Sequence, residues 1–232
     1  MYNLFLFIHR FNKALACRII PKDRIVPRFF TNKLLKKHCI NLSGHVVNVS
    51  GWDDRDGEGD FYKNYFPKAE SYTVTNAPEK GKGEGTGESL LLDLSKPLVD
   101  SLYKKYDVVY NNTTLEHILD FEQAFKNLCD MSKEVVIVIV PVIQQIHIAK
   151  TYGDYWRPTT MGLVMLFKKH GFETLVVKTN DQPFQPIYAF VLATRHPEKF
   201  RHIIIGDVDL EMGARLFGSS LKKHFIKDLL KI

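Results

Sequence analysis

Apolar and polar positions follow one another along this chain in blocks. HVVNV (His45–Val49), SYTVT (Ser71–Thr75), LLLDL (Leu90–Leu94), YDVVY (Tyr106–Tyr110) and VVIVIV (Val135–Val140) are short runs rich in Val, Leu, Ile and Tyr. Runs without strict alternation belong to strands buried on both faces, as in a parallel sheet covered by helices. A short helix is predicted over Asp60–Phe66, where Pro67 stops it, and a longer one over Met161–His170, closed by Gly171. Phe172–Lys178 and Ile187–Thr194 are two further strands joined by a Pro-containing loop too short for a helix, which predicts an antiparallel edge hairpin. The fold class is therefore α/β, a doubly wound and mostly parallel sheet with an antiparallel edge hairpin. Residues 1–40 predict two helical pieces broken near Pro21 and Pro27, and Leu221–Leu230 predicts a surface helix. Three regions follow: a helical N-terminal extension over 1–40, the α/β domain over 41–196, and a tail over 197–232.

In open α/β sheets, ligands bind at the carboxyl ends of the strands. Asn111, Asn112, Thr113, Glu116 and His117 follow the fourth strand and so fall at such an end. His117 is the acid–base candidate, since an imidazole with pKa near about 6.5 can take a proton from a hydroxyl or amine at neutral pH.

The wording of that segment, YDVVYNNTTLEHI, resembles the fourth-strand motif of class I S-adenosylmethionine-dependent methyltransferases, in their small-molecule branch. LLLDLSKPL (Leu90–Leu98) is similar to that family's third strand, and GDYWRPTTMGLVMLFKKHGFETL (Gly153–Leu175) to its late helix and sixth strand. The resemblance spans roughly residues 41 to 194 and implies a Rossmann-like methyltransferase fold with S-adenosylmethionine as cofactor. It implies that Asp93, with Leu94 beside it, receives the adenine. Asn76 stands where the family places an acid for the ribose hydroxyls, Asn48 where an acid is usual, and Ser50 where the first glycine of the turn belongs, leaving Gly51 to approach the cofactor. Asn111 would border the cofactor, and Glu116 would bind backbone amides at a helix start. The implied activity is methyl transfer to a small molecule, a sugar or lipid-linked glycan. The alternative is a degenerate, non-catalytic domain of the same fold that serves as a binding or scaffold module. With an amide at Asn76, cofactor affinity is expected to be micromolar or weaker, and Asn76→Asp to tighten it.

Composition changes this picture at one end. The chain has 232 residues, 45% hydrophobic, enough for one sizeable core. Its formal charge of +6 is unevenly spread, because residues 1–40 hold nine Lys or Arg against Asp23 alone. Leu4, Phe5, Phe7, Ile8, Phe11 and Leu15 share that segment with Arg10, Lys13 and Arg18, which predicts a helix lying on an anionic membrane surface. Nucleic acid is disfavoured as a partner, since no stacking residues are interleaved with the bases in a binding motif. Cys17, Cys39 and Cys129 form neither a disulfide framework nor a zinc pattern, so a reducing cytoplasm is expected, with membrane association through residues 1–40. The opening MYNLFLFIHR is too short an apolar run for a signal peptide or a span.

Three other stretches invite chemistry. Asp54, Asp56, Glu58 and Gly59 fit part of a calcium loop, but its twelfth position is Tyr65, so no metal is expected. GKGEGTG (81–87) lacks the order of a phosphate loop and leads into a strand. Tyr152, Tyr155, Trp156 and Arg157 could stack on and hydrogen-bond an acceptor.

Overall fold

The computed structural model describes residues 26–78, 89–149, 152–180 and 187–204, together with 206, 208 and 210. The basic amphipathic segment before Val26, the glycine-rich stretch 81–87 and the helix expected over 221–230 lie outside the described residues.

Seven strands form one sheet: β1 (Ser43–Val49), β2 (Lys68–Asn76), β3 (Ser89–Leu91), β4 (Tyr106–Asn112), β5 (Ser132–Ile143), β6 (Glu173–Thr179) and β7 (Ile187–Thr194). Their order is β3-β2-β1-β4-β5-β7-β6. The first five pair in parallel, while β7 runs antiparallel to both β5 and β6. The predicted hairpin is present, with β6 outermost and β7 inserted between β6 and β5. Chain direction of travel reverses between β1 and β4, and that switch point opens a crevice at their carboxyl ends.

Element lengths differ from the sequence expectation where tertiary pairing outweighs composition. β5 continues through Pro141 to Ile143, with a register shift against β7 between those residues that accommodates the missing N–H. β3 stops at Leu91, so Asp93 lies beyond the strand. The expected helix near Asp60–Phe66 is a single 3-10 turn, Tyr62–Tyr65.

Both sheet faces are covered. Helices α2 (Phe121–Met131) and α3 (Thr160–Lys169) close one face, where their Leu128 and Phe167 share a core with Val47, Val109 and Val138 of the sheet. The other face holds Val46, Tyr110, Ile137 and Phe190, and here α1 (Pro27–Cys39) packs with Leu35 and Cys39 fully buried. Pro27 in its first turn starts α1, and Lys36 and Lys37 complement the negative end of its dipole. Burying a side chain such as Leu35 stabilises by about 1.5–3 kcal/mol. The packed domain therefore begins at α1 and not at residue 41, because the apolar stripe of this helix is spent on the sheet. His38 belongs to the same layer, its ring 5.9 Å from that of Phe190, and burial pushes its pKa down to about 4. The domain also continues past residue 196: Phe200 of the short helix α4 (Pro197–Phe200) and Ile204 are buried in this cluster. Among the described residues, no helix is long and apolar enough to cross a membrane.

Candidate functional site

A cleft of about 610 Å³ opens at the carboxyl ends of β1, β2, β3 and β4, within the range of small-molecule sites. Asn48, Gly51, Asn76, Asp93, Leu94 and His117 all line it, so the structure brings together six of the seven residues singled out from sequence. Asn111 is the exception. It is fully buried, and its Nδ2 donates to Val49 O, tying β4 to β1. Its neighbour Asn112 lines the cleft instead, since successive strand residues face opposite ways.

The turn after β1 is built without the glycines that its shape calls for. Ser50, Trp52 and Asp54 have φ of 59°, 52° and 61°, in the left-handed region. Each such residue costs roughly 1–2 kcal/mol. Side chains outside the turn hold it in place. Ser50 N donates to Thr75 Oγ1 at 3.1 Å, and Trp52 N to Asn76 Oδ1 at 2.8 Å. Asp54 accepts from Asn48 Nδ2 at 2.7 Å, Tyr72 Oη at 2.7 Å and Lys63 N at 2.9 Å. Gly51 cannot be replaced freely, because a Cβ there would stand 2.4 Å from Asn48 Nδ2.

These contacts reassign several residues. Asn76 is buried, its Nδ2 also donates to Trp52 O at 3.2 Å, and its amide clamps the turn from the cleft wall. The amide at Asn48 and the acid at Asp54 form a matched pair, and two acids there would repel. Two acids of this loop are shut away from water: Asp54 and Asp56 are both fully buried, and Asp56 accepts from Tyr65 Oη, Glu58 N and Asp60 N. Both carboxylates are spent on protein donors, which removes the calcium pattern. Burial raises the Asp54 pKa, against the pull of Tyr72 and Asn48.

At the β3 end, Asp93 Oδ1 accepts from Ser95 N and Oγ at 2.9 and 2.6 Å, and the Ser95 hydroxyl holds its carboxyl below the usual range. Among the described residues none donates to its Oδ2. Asn127 Nδ2 fixes Leu94 by donating to its carbonyl at 2.9 Å. One side of this end is therefore a charged acceptor on a rigid turn.

At the β4 end, the segment 153–157 straps down the turn that carries His117. Tyr155 N and Trp156 N donate to Glu116 O, and Trp156 Nε1 donates to Ile118 O and Leu119 O. His117 Nδ1–H donates to Gly153 O at 2.6 Å, which leaves the lone pair on Nε2. The strap is rigid in its turn, since Arg157 grips Asp154 through two hydrogen bonds of 2.5 and 2.6 Å. Trp156 and Arg157 are therefore structural, while Tyr152 and Tyr155 line the cleft. Rings of Tyr152 and His147 lie 4.5 and 4.7 Å from that of His117.

Glu116 is not a helix-capping residue. Its carboxyl is buried, with Oε1 3.7 Å from His117 Nε2 and no partner for Oε2 among the described residues. Burial pushes its pKa up to about 7, its own N–H and Arg157 pulling back and Asp154 adding to the rise. The Arg157 fork holds Asp154 far below the carboxylate range, so Asp154 stays ionised beside it.

Sequence reasoning missed Arg28, Tyr62 and His147 as cleft residues. They come from α1, the turn after β1 and the segment after β5, and no local motif marks them. Tyr62 Oη accepts from Asn112 Nδ2 at 2.9 Å, which ties that turn to the end of β4.

No family model matches the chain, and no curated protein matches it in sequence. Solved structures do match its shape. An S-adenosylmethionine-dependent methyltransferase from Mesorhizobium loti superimposes with a TM-score of 0.54 at 11% identity, over 73% of this chain and 98% of that one. The complex of the Haloferax volcanii Trm112 methyltransferase activator with a methyltransferase gives 0.55 at 9%, over 73% and 90%. The cyclase SpnF gives 0.52 at 10%, over 72% and 80%. The chain thus has the Rossmann-like fold of class I S-adenosylmethionine-dependent methyltransferases. Since a cyclase shares that fold, the chemistry must be argued from the cleft.

Proposed function

We propose that this chain binds S-adenosylmethionine in the cleft and transfers its methyl group to a small molecule. The observation that carries this reading is the placement of Asp93 and Leu94, at the β3 end of the switch-point cleft, opposite His117 at the β4 end. The residues fit the cofactor. The open Oδ2 of Asp93 can accept from the adenine amino group, and the Leu94 backbone lies beside it. Gly51, Ser50 and Trp52 supply the backbone that passes close to the remainder. When bound, the cofactor supplies an electrophilic methyl group on a sulfonium, so much of the acceleration comes from alignment. The chain's own contribution at the reacting end is to orient the acceptor and to take its proton. His117 is suited to that step because Gly153 O holds its Nδ1–H, which fixes the tautomer that carries the lone pair on Nε2. Tyr152 and Tyr155 offer rings for an acceptor, and a sugar or a lipid-linked glycan is the acceptor class we favour.

A second reading has its own observation. Asn76 is occupied by Trp52, so the ribose would meet no carboxylate. A domain of this fold that binds a nucleoside weakly, or not at all, would then act as a scaffold. Calorimetry of the full chain with S-adenosylmethionine and S-adenosylhomocysteine separates the two. Binding in the micromolar range, lost in Asp93→Ala, supports the enzyme; no heat at millimolar ligand leaves the scaffold. We further propose that residues 1–40 attach to an anionic membrane surface, from the charge and apolar pattern of that segment, and that the protein is cytoplasmic, from its unpatterned cysteines.

A further inference from the structure

Arg28 stands out in the charge balance of the cleft. It projects from the first turn of α1, lines the cleft, and passes close to Gly57, where an added Cβ would meet its Cδ at 3.1 Å. The carboxylates near it are already answered by other groups. Asp53 faces Arg55 at 3.4 Å, Glu58 faces Lys36 at 3.1 Å, Asp54 is held by Asn48 and Tyr72, and Asp56 by Tyr65. Among the described residues, no acid pairs with Arg28. A guanidinium without a counter-ion at the mouth of a cleft is a ready site for an anion.

Its position along the sheet says which ligand that anion belongs to. Asp93 and Leu94 mark the β3 end as the adenine end, so the cofactor runs from β3 across β2 and β1 toward β4. Arg28 lies past that run. Its charge is felt by Tyr62, which accepts a hydrogen bond from Asn112 at the end of β4, and by Tyr188, at the start of β7. Burial pushes Tyr62 up to about 12 and raises Tyr188, and in both cases the nearby Arg28 charge pulls back. The acids on the β7 side do not compete for Arg28: Asp154 is bound by Arg157, and Glu116 is buried with its pKa raised to about 7.

We propose that Arg28 is the docking cation for an anionic group, carboxylate or phosphate, carried by the methyl acceptor. The inference rests on the methyltransferase reading above. The acceptor then lies between Arg28 and the His117 imidazole, with its reacting hydroxyl or amine toward Nε2 and its anion toward α1. Asn112 and Tyr62 line the space between them.

The test uses the full chain saturated with S-adenosylhomocysteine, titrated by calorimetry with glucose, glucuronate and glucose 1-phosphate. Either charged sugar should bind where neutral glucose does not, and which of the two binds tells carboxylate from phosphate. Arg28→Gln should weaken that binding about 10- to 100-fold, the usual worth of a charge-assisted contact, and leave S-adenosylhomocysteine affinity unchanged. Equal binding of charged and neutral sugars, or no binding of any, overturns the proposal. So does a loss of S-adenosylhomocysteine affinity in Arg28→Gln that 5′-methylthioadenosine does not share, because Arg28 would then serve the cofactor's own carboxylate. If S-adenosylhomocysteine fails to bind the parent protein, the methyltransferase reading falls first, and this inference with it. Arg28 is exposed, so the substitution should leave the melting temperature in place.

Discussion

Replacing Glu116 with Gln should stabilise the protein at alkaline pH and leave it unchanged in mild acid. The carboxyl is buried beside His117, and burial raises its pKa from 4.5 to about 7. The unfolded chain ionises this group near its ordinary value. Between those two pH values the native state holds a proton that the unfolded state has released, so stability falls as pH rises. Above pH 7 the native state carries a buried charge. The rise from 4.5 to about 7, at about 1.36 kcal/mol per pH unit, corresponds to about 3 kcal/mol lost by pH 8. For a domain of this size that is about 6–12 °C in melting temperature. The parent protein alone would not reveal it. His38, with its pKa pushed down to about 4, gains stability with rising pH over much of the same window, because its native form stays neutral while the unfolded form must lose a proton. The difference between Glu116→Gln and the parent cancels His38 and isolates Glu116. Thermal melts of both proteins from pH 4.5 to 8.5 should therefore show a gap that opens above pH 5 and levels off near pH 7.5. A gap that stays constant with pH would refute the reasoning, for it would mean that Glu116 titrates normally in the folded state.

Three further outcomes are expected. Asn76→Asp should lower stability by about 1–3 kcal/mol and should not tighten cofactor binding, because the new carboxylate loses the donor to Trp52 O and faces that carbonyl instead; chemical denaturation and calorimetry measure both. His117→Gln should cut turnover by about 10²–10⁴ at unchanged S-adenosylhomocysteine affinity if His117 is the base, and activity that follows only the loss of thermal stability would make it a packing residue. A chain starting at Ile40 should be insoluble or unfolded, since it lacks Leu35 and Cys39, whereas one starting at Val26 should fold; if the latter pellets with anionic vesicles as well as the full chain does, the membrane proposal is wrong.

How much of this was legible in the chain depends on the range of the interaction involved. The apolar runs of β1, β4 and β5 need only local composition to declare themselves, because a strand buried on both faces is apolar at most of its positions. From five such runs, intervening helical segments and a final helix-free pair, the doubly wound sheet with its antiparallel edge follows. The strand ends then place Asp93 and His117 at the cleft. The limits of β3 and β5 do not follow, because pairing with a neighbour decides where a ladder stops, and Pro141 sits inside one. Nor does the role of α1, since no local signal says that Leu35 and Cys39 pack on the sheet.

Tertiary structure alone decided what each polar side chain is for. Asn48, Ser50 and Asn76 read as three departures from a cofactor pattern, and in space Asn48 and Asn76, with Asp54, brace one turn in which Ser50 is itself left-handed. Asn111 and Asn112 are adjacent in sequence, yet strand pleating turns one into the sheet and the other into the cleft. Arg28 and Glu116 differ most from what local sequence implies, since a charge is defined by its surroundings. One reaches the cleft with no described acid paired to it, and the other is shut away from water. Composition and periodicity determine which segments must be buried, because burial of apolar surface is non-directional and additive. Hydrogen bonds and charges are directional and short in reach, so their partners are settled only once the fold has brought distant residues together.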